Sequence, residues 1–207
     1  MHNEAVAHLI EELKRYHLAG WQEMPDIELY MDQVIGYLRR QFSTFEDDGG
    51  NLVTPSIINN YVKGGIVPRP VKKKYARKQL SVLIMACLLK GALPMQQVKT
   101  LISRDGREID QAFYADFVAG LDSVVQEEAE LLEALTQGDA LTRDSLYAMA
   151  MCFALRANTD RMIADRLIKL LEEGRAESHA GTEREGGRPS RRAGSKAAPA
   201  AVDDGRG

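Results

Sequence analysis

Four polar side chains in the stretch 54–63 are the ones best suited to contacting another molecule. Projected as an α-helix at about 100° per residue, they fall within one arc of about 100°, and the opposite arc is apolar. Asparagine can form two hydrogen bonds with an adenine edge in the major groove, and lysine suits a phosphate oxygen. The pattern predicts a helix that contacts nucleic acid, although an ordinary surface helix can share it. The four residues are Ser56, Asn59, Asn60 and Lys63.

A set of basic side chains follows this stretch. Thr54-Pro55 is typical of a helix start and Gly64-Gly65 of a helix end. Pro68 and Pro70 then predict an extended loop or short β-ribbon over residues 66–75. A groove-binding helix, a glycine turn and an extended basic segment form the layout of a winged helix-turn-helix, whose wing contacts phosphates. The expected phosphate contacts are Arg69, Lys72, Lys73, Lys74 and Arg77.

The charge of the chain is divided unevenly along its length. Between Asp48 and Asp105 there is no acidic residue, although acids outnumber bases in the whole protein. Residues 49–104 hold ten bases and carry +10; because the whole chain carries −3, the remainder carries −13. Such an asymmetry is expected of a polyanion-binding module joined to an acidic body, and a solvated basic face is the alternative.

The form of nucleic acid follows from the scarcity of aromatic residues near the basic segment. Single-stranded RNA binding would require an aromatic platform, and only Tyr61 and Tyr75 are available, the former on the apolar arc. Double-stranded DNA is therefore the favoured ligand. Structured RNA stays open as a third interpretation.

The composition gives no indication of an enzyme or of a cofactor. Cys87 and Cys152 lie in apolar surroundings, and the histidines show no metal-ligand spacing. The longest apolar stretch, 80–89, is far shorter than the roughly 20 residues that span a bilayer. The first residues lack the features of a signal peptide, so a cytoplasmic location and no membrane partner are expected.

Helix patterns dominate the chain, which predicts an all-α protein. Asp26 is expected to cap a helix that presents an apolar stripe from Ile27 to Leu38, and residues 46–51 to form a turn. Residues 76–90 are apolar nearly all round, which predicts a central helix. Residues 108–135 predict a long amphipathic helix, and a further helix is expected from Thr142 to about Glu173.

These elements suggest four regions. Residues 1–24 form an N-terminal helix, 25–104 the winged helix-turn-helix, and 105–174 a helical hairpin or bundle. Residues 175–207 lack large apolar side chains apart from Val202, which predicts a disordered tail.

Three sequence words resemble a known bacterial family. Leu29-Tyr30-Met31-Asp32-Gln33-Val34, Ile58-Asn59-Asn60-Tyr61-Val62-Lys63 and Pro70-Val71-Lys72-Lys73-Lys74-Tyr75 together are similar to domain of unknown function 1836. More loosely, residues 27–104 resemble the MerR family, whose Arg-Tyr pair is here Asn59-Asn60. The resemblance implies a MerR-like DNA-binding fold, with a first helix and a 46–53 loop longer than usual.

Sequence-specific binding of duplex DNA, as a transcriptional regulator, is the expected function. The alternative is a protein-interaction adaptor whose basic face binds an acidic protein partner, including the acidic remainder of the chain itself. A homodimer is expected because readers with one groove-binding helix usually pair two half-sites. The residues expected at or near its interface are Phe113, Phe117, Leu121 and Val124.

Overall fold

The structure, a computed structural model, describes residues 2–45, 52–104, 109–137 and 141–185. Within these ranges the chain is mostly helical with one small two-stranded sheet, which confirms the predicted all-α class. In chain order the elements are α1 (His2–Arg15), β1 (Leu29–Tyr30), α2 (Met31–Gln41), α3 (Pro55–Lys63), β2 (Lys74–Tyr75), α4 (Arg77–Lys90), α5 (Met95–Ser103), α6 (Gln111–Leu135) and α7 (Arg143–Glu185).

The chain divides into two compact units, Met1–Leu170 and Leu171–Gly207. The first contains α1 to α6 and most of α7, and the second begins inside α7. Because α7 ends at Glu185, helix extends beyond the predicted limit at residue 174. The remainder of the predicted tail, 186–207, lies outside the described residues, as do the predicted turn at 46–51 and the expected start of the long helix at Glu108.

Helix α4 lies at the centre of the main core, as its uniform apolarity predicts. Every residue from Leu80 to Cys87 is buried, including one polar residue, Ser81. The Ser81 hydroxyl donates to the Lys78 carbonyl at 2.9 Å, so its burial leaves no unsatisfied donor. Side chains of α2 and α3, among them Val34, Leu38 and Ile58, complete this core.

The sheet corrects the sequence prediction for the start of α2. β1 pairs antiparallel with β2, with Leu29 opposite Tyr75 and Tyr30 opposite Lys74. The prediction of an N-cap at Asp26 was wrong: α2 begins at Met31, and the Tyr30 N–H donates to Gln33 Oε1 at 2.9 Å. Pairing with a strand over 40 residues away overrides the local capping signal.

Helices α1, α6 and α7 form the second part of the first unit. α1 packs along α6, and the two are joined by an ion pair of 2.8 Å between Lys14 Nζ and Glu133 Oε2. α7 returns along them, with Ile10, Leu132 and Met149 in a small separate cluster.

The side chains expected at a dimer interface are mostly used inside the chain. Phe113, Phe117 and Leu121 are partly buried against the main core, whereas Val124 is 54% exposed. The largest fully buried side chain of α6 is instead Tyr114, whose hydroxyl donates to the Ala19 carbonyl at 2.9 Å. The interface predicted around Phe113 and Phe117 therefore has little surface left for a partner.

Candidate nucleic-acid interface

Helix α3 begins and ends where its sequence predicts. Thr54 Oγ1 accepts a hydrogen bond from the Ile57 N–H at 3.2 Å, and Pro55 occupies the first turn, where it removes no helical hydrogen bond. At the other end, the Ile66 N–H donates to the Tyr61 carbonyl at 3.0 Å and the Gly65 N–H to the Val62 carbonyl at 3.1 Å. This is a Schellman motif, and Gly65, with φ +67°, takes its left-handed position.

The two sides of α3 differ as the helical wheel predicts. Ile58 is fully buried and Tyr61 is 3% exposed, so these side chains fix the helix to the core. Burial raises the pKa of the Tyr61 hydroxyl, which interacts with the Cys87 sulfur beneath the helix. The neutral phenol therefore remains part of the core throughout the physiological pH range. The four exposed side chains on the opposite side are Ser56, Asn59, Asn60 and Lys63.

A tight turn presents two lysines beyond α3. In residues 71–74 the Lys74 N–H donates to the Val71 carbonyl at 2.9 Å, and the same residues form an antiparallel β-bridge. We name these four residues the lysine turn. Its central residues Lys72 and Lys73 have φ values of +49° and +65°. Positive φ at both central positions is the sign pattern of a type I′ turn, in which Asn-Gly is the preferred pair.

Lysine is unfavourable in this conformation. A non-glycine residue in the left-handed region costs roughly 1–2 kcal/mol because its Cβ approaches the following carbonyl oxygen. Both lysines are exposed, so burial of their side chains does not compensate for this cost. Backbone strain that is retained at exposed positions is often associated with function.

The base of the lysine turn is held by β1. Lys74 is partly buried, and its Nζ lies 5.2 Å from the centre of the Tyr30 ring, a cation–π contact. Leu29, which precedes Tyr30 in β1, points into the core at 6% exposure, while Tyr30 is 54% exposed. Tyr30 thus supports the turn from the solvent side. No local sequence pattern predicts this role, because a strand of two residues has no recognisable periodicity.

The predicted phosphate-contacting residues differ in their availability. Arg69, Lys72 and Lys73 are exposed and form no ion pair with any of the described residues. Arg77 is engaged: its Nη2 donates to the Met24 carbonyl at 3.1 Å and its Nε is buried. This guanidinium fixes the start of α4 against residues near Met24. For Arg77 to contact a phosphate, its hydrogen bond to the Met24 carbonyl would have to break.

Lys99 is a further positioning residue that the sequence analysis did not single out. Its Nζ donates to the Gly64 carbonyl at 3.3 Å from α5. A cation at a helix C-terminus interacts favourably with the carbonyl dipoles there. Lys99 therefore helps to fix the end of α3, although its position in sequence, 36 residues after Lys63, gives no local indication of this contact.

The acidic part of the chain does not neutralise the lysine turn in the described residues. The ion pairs of α6 and α7 join Glu133 to Lys14, Glu128 to Arg156 and Asp165 to Lys169. None of these bases belongs to α3 or to the lysine turn. A sequence hypothesis in which the acidic helices cover residues 72–77 therefore has no support from the ion pairs of this part of the chain.

Other kinds of site find little support in the described ranges. No group of three or more histidine, cysteine, aspartate or glutamate side chains there is arranged to hold a metal ion. None of the described helices combines the length and apolarity needed to cross a membrane. Cys87 is buried, which raises the pKa of its thiol to about 12 and disfavours the nucleophilic thiolate.

Comparison with known proteins identifies one domain. No curated protein and no solved structure is significantly similar to the chain. One family model, described as Domain of unknown function (DUF1836), matches residues 19–117, which include α2 to α5 and the lysine turn. This match covers slightly less than half of the chain and supports the sequence resemblance to that family over residues 19–117.

Proposed function

We propose that the protein binds double-stranded DNA through α3 and the lysine turn, and that it acts as a transcriptional regulator. The observation that carries the proposal is the lysine turn, where two exposed lysines occupy left-handed backbone positions. A turn selected for stability alone would favour Asn-Gly. Lysine at both positions places two cations at the tip of the lysine turn, where they can reach the phosphate backbone of DNA without entering a groove of the duplex.

The order of the elements supports a MerR-like winged helix-turn-helix. A short strand precedes α2, α3 follows after a loop, and the chain then returns through the lysine turn to pair β2 with β1. In such an arrangement α3 is the recognition helix and the lysine turn is the tip of the wing. Asn59 and Asn60 would read base edges, Ser56 would add a hydroxyl contact, and Lys63 and Arg69 would contact phosphates.

The adaptor hypothesis requires an acidic protein surface on the same face. The absence of ion pairs between the described acidic helices and the lysine turn favours an external polyanion over the chain's own acidic residues. Exposed asparagines on α3 suit base edges better than they suit carboxylates, because each amide both donates and accepts hydrogen bonds. Duplex DNA is therefore the better partner.

A homodimer is proposed through α7, which replaces the interface predicted on α6. Tyr147, Met151 and Leu155 recur at every fourth residue and are 61–62% exposed. Further along, Met162 lies on the same side of the helix and is 45% exposed. Monomeric proteins rarely expose contiguous apolar patches of more than a few hundred Å². A second copy covering this side of α7 would place two α3 helices in one assembly.

Replacement of Lys72, Lys73 and Lys74 by alanine tests DNA binding. The triple variant should bind specific and random duplexes more weakly, with the plot of log affinity against log salt flatter by about 0.9 per lost phosphate contact. A matched control is Lys90→Gln with Arg15→Gln, exposed bases outside this face and outside the proposed α7 interface. Unchanged affinity and unchanged slope in the triple variant would remove the lysine turn from the interface.

A further inference from the structure

Two neighbouring amides lie on the exposed side of α3. Asn59 and Asn60 are both exposed, and neither side chain forms a hydrogen bond with another of the described residues. Asparagine inside a helix is less favourable than alanine, because its short amide competes for backbone hydrogen bonds. α3 has only nine residues, yet two of its central positions carry asparagine. A local cost that neither capping nor packing explains is expected where a residue serves binding.

The residue types present in α3 narrow the set of bases that this helix can discriminate. Guanine is read most often by arginine and cytosine by a carboxylate, and α3 contains neither arginine nor an acidic residue. Lysine also binds guanine, but Lys63 is the last residue of α3, and recognition helices read bases through residues nearer their N-terminus. The Ser56 hydroxyl can pair with any base and so adds little selectivity. Discrimination between bases is therefore left to the two asparagines.

Both groups of an asparagine amide match the major-groove edge of adenine. This edge presents the N7 atom, which accepts a hydrogen bond, and the N6 amino group, which donates one. Nδ2 of asparagine donates to N7 while Oδ1 accepts from N6, so one planar side chain forms two hydrogen bonds with one base. Guanine presents acceptors at both positions and would leave Oδ1 facing an oxygen atom without a proton between them.

We propose that α3 reads two neighbouring A·T base pairs in the major groove, with Asn59 on one adenine and Asn60 on the other. This inference rests on the proposed function and adds the identity of the bases, which duplex binding alone leaves open. Consecutive helix residues project about 100° apart, so the two amides diverge and meet adjacent base pairs, which are about 3.4 Å apart. Lys63 and the lysine turn supply phosphate contacts, which carry no base preference.

Selection from a duplex library with a random core, followed by fluorescence anisotropy on the selected duplex, tests the assignment. The full-length protein should enrich duplexes that contain two adjacent A·T pairs. Replacing either adenine by 7-deazaadenine removes the N7 acceptor and keeps the base pair. This replacement should weaken binding about fivefold or more, because the asparagine N–H is left without an acceptor. The base analogues are tested on the natural protein, so this result does not depend on the folding of a variant.

Protein substitutions assign each adenine to one side chain. Asn59→Ala should lose the sensitivity to 7-deazaadenine at one position and Asn60→Ala at the other, while each variant keeps the sensitivity at the remaining position. Low salt keeps the affinity of these variants measurable through their phosphate contacts. The matched control is Gln137→Ala, which removes an exposed amide outside α3 and should keep both sensitivities. Thermal unfolding of each variant checks that the fold is retained.

Failure of the base assignment is distinguishable from failure of DNA binding. An enriched sequence without adjacent A·T pairs, or an unchanged affinity for the duplexes with 7-deazaadenine, would overturn the base assignment and leave duplex binding in place. Sensitivity to 7-deazaadenine that survives both asparagine substitutions would also overturn it, because another part of the protein would then contact the adenines. Absence of any enriched duplex would overturn the proposed function, and the base assignment with it.

Discussion

A double substitution in the lysine turn should change protein stability and DNA binding in opposite directions. Replacing Lys72 by Asn and Lys73 by Gly installs the pair that a turn with two positive φ values prefers. The backbone should relax, because Gly has no Cβ and Asn tolerates the left-handed region. The same double variant removes two exposed positive charges from the proposed DNA interface.

The magnitudes follow from the two φ values. Each lysine costs roughly 1–2 kcal/mol in the left-handed region, so the two together cost roughly 2–4 kcal/mol. Glycine offsets about 0.5–1 kcal/mol of this gain, because it makes the unfolded chain more flexible. The double variant should therefore be more stable by about 1–3.5 kcal/mol. For a chain of this size, that corresponds to a rise in melting temperature of about 2–14 °C. The loss of two phosphate contacts should flatten the salt dependence of DNA binding by about 1.8.

Two assays on the same samples check both parts. Thermal unfolding followed by circular dichroism measures stability, and fluorescence anisotropy of a labelled duplex across a salt series measures binding. Lys72→Arg with Lys73→Arg is the control for charge, since it keeps both cations and both strained positions. This control should leave the melting temperature and the salt slope close to those of the natural sequence.

The predicted gain in stability and the predicted loss of phosphate contacts can each be contradicted separately. A double variant that is less stable than the natural sequence would mean that the lysine turn is not strained. A double variant that is more stable but binds DNA with an unchanged salt slope would mean that these lysines contact no phosphate. In the latter case the strain would need a different explanation from DNA binding.

Substitutions in α3, in α7 and at Glu23 should each have a measurable effect. Asn59→Ala or Asn60→Ala should reduce discrimination between specific and random duplexes by about 1–3 kcal/mol, with little change in melting temperature because both side chains are exposed; a large loss of stability would contradict this. Leu155→Glu should shift sedimentation equilibrium at tens of micromolar from dimer toward monomer, whereas an already monomeric natural protein would refute the α7 interface. The Gly20 N–H, and then His17, lower the pKa of the Glu23 carboxyl. This stabilisation should be present above the ordinary glutamate pKa and lost as pH falls through the lowered one, so Glu23→Gln should weaken the acid dependence of the melting temperature; an unchanged profile would contradict it.

Local sequence signals were sufficient to predict α3 and α4. Thr54-Pro55 and Gly64-Gly65 act within one or two turns of helix, so the capping interactions could be read from neighbouring residues. The burial of α4 on all sides likewise follows from its composition. The exposure of the polar residues of α3 was predicted for the same reason, since helical periodicity alone divides that helix into two sides.

Contacts between distant parts of the chain could not be predicted. β1 exists because Leu29 and Tyr30 pair with β2, and no property of two residues specifies that register. On α6 apolar side chains lie on adjacent stripes, and Tyr114 rather than Phe113 is buried because it contacts the Trp21 ring and the Ala19 carbonyl. The hydrogen bond from Arg77 to the Met24 carbonyl is equally non-local. Only the charge of Arg77 was evident from the sequence, and that charge predicted a phosphate contact.

The most direct test of the central claim is the capture of genomic DNA. The tagged full-length protein is incubated with sheared genomic fragments of its source, and the bound fragments are sequenced beside those of a variant with Asn59, Asn60, Lys72 and Lys73 all changed to alanine. Duplex binding through α3 and the lysine turn predicts enriched fragments that share a sequence motif, with the enrichment lost in the variant. Equal recovery by both proteins, or no enrichment above the tag alone, would contradict it.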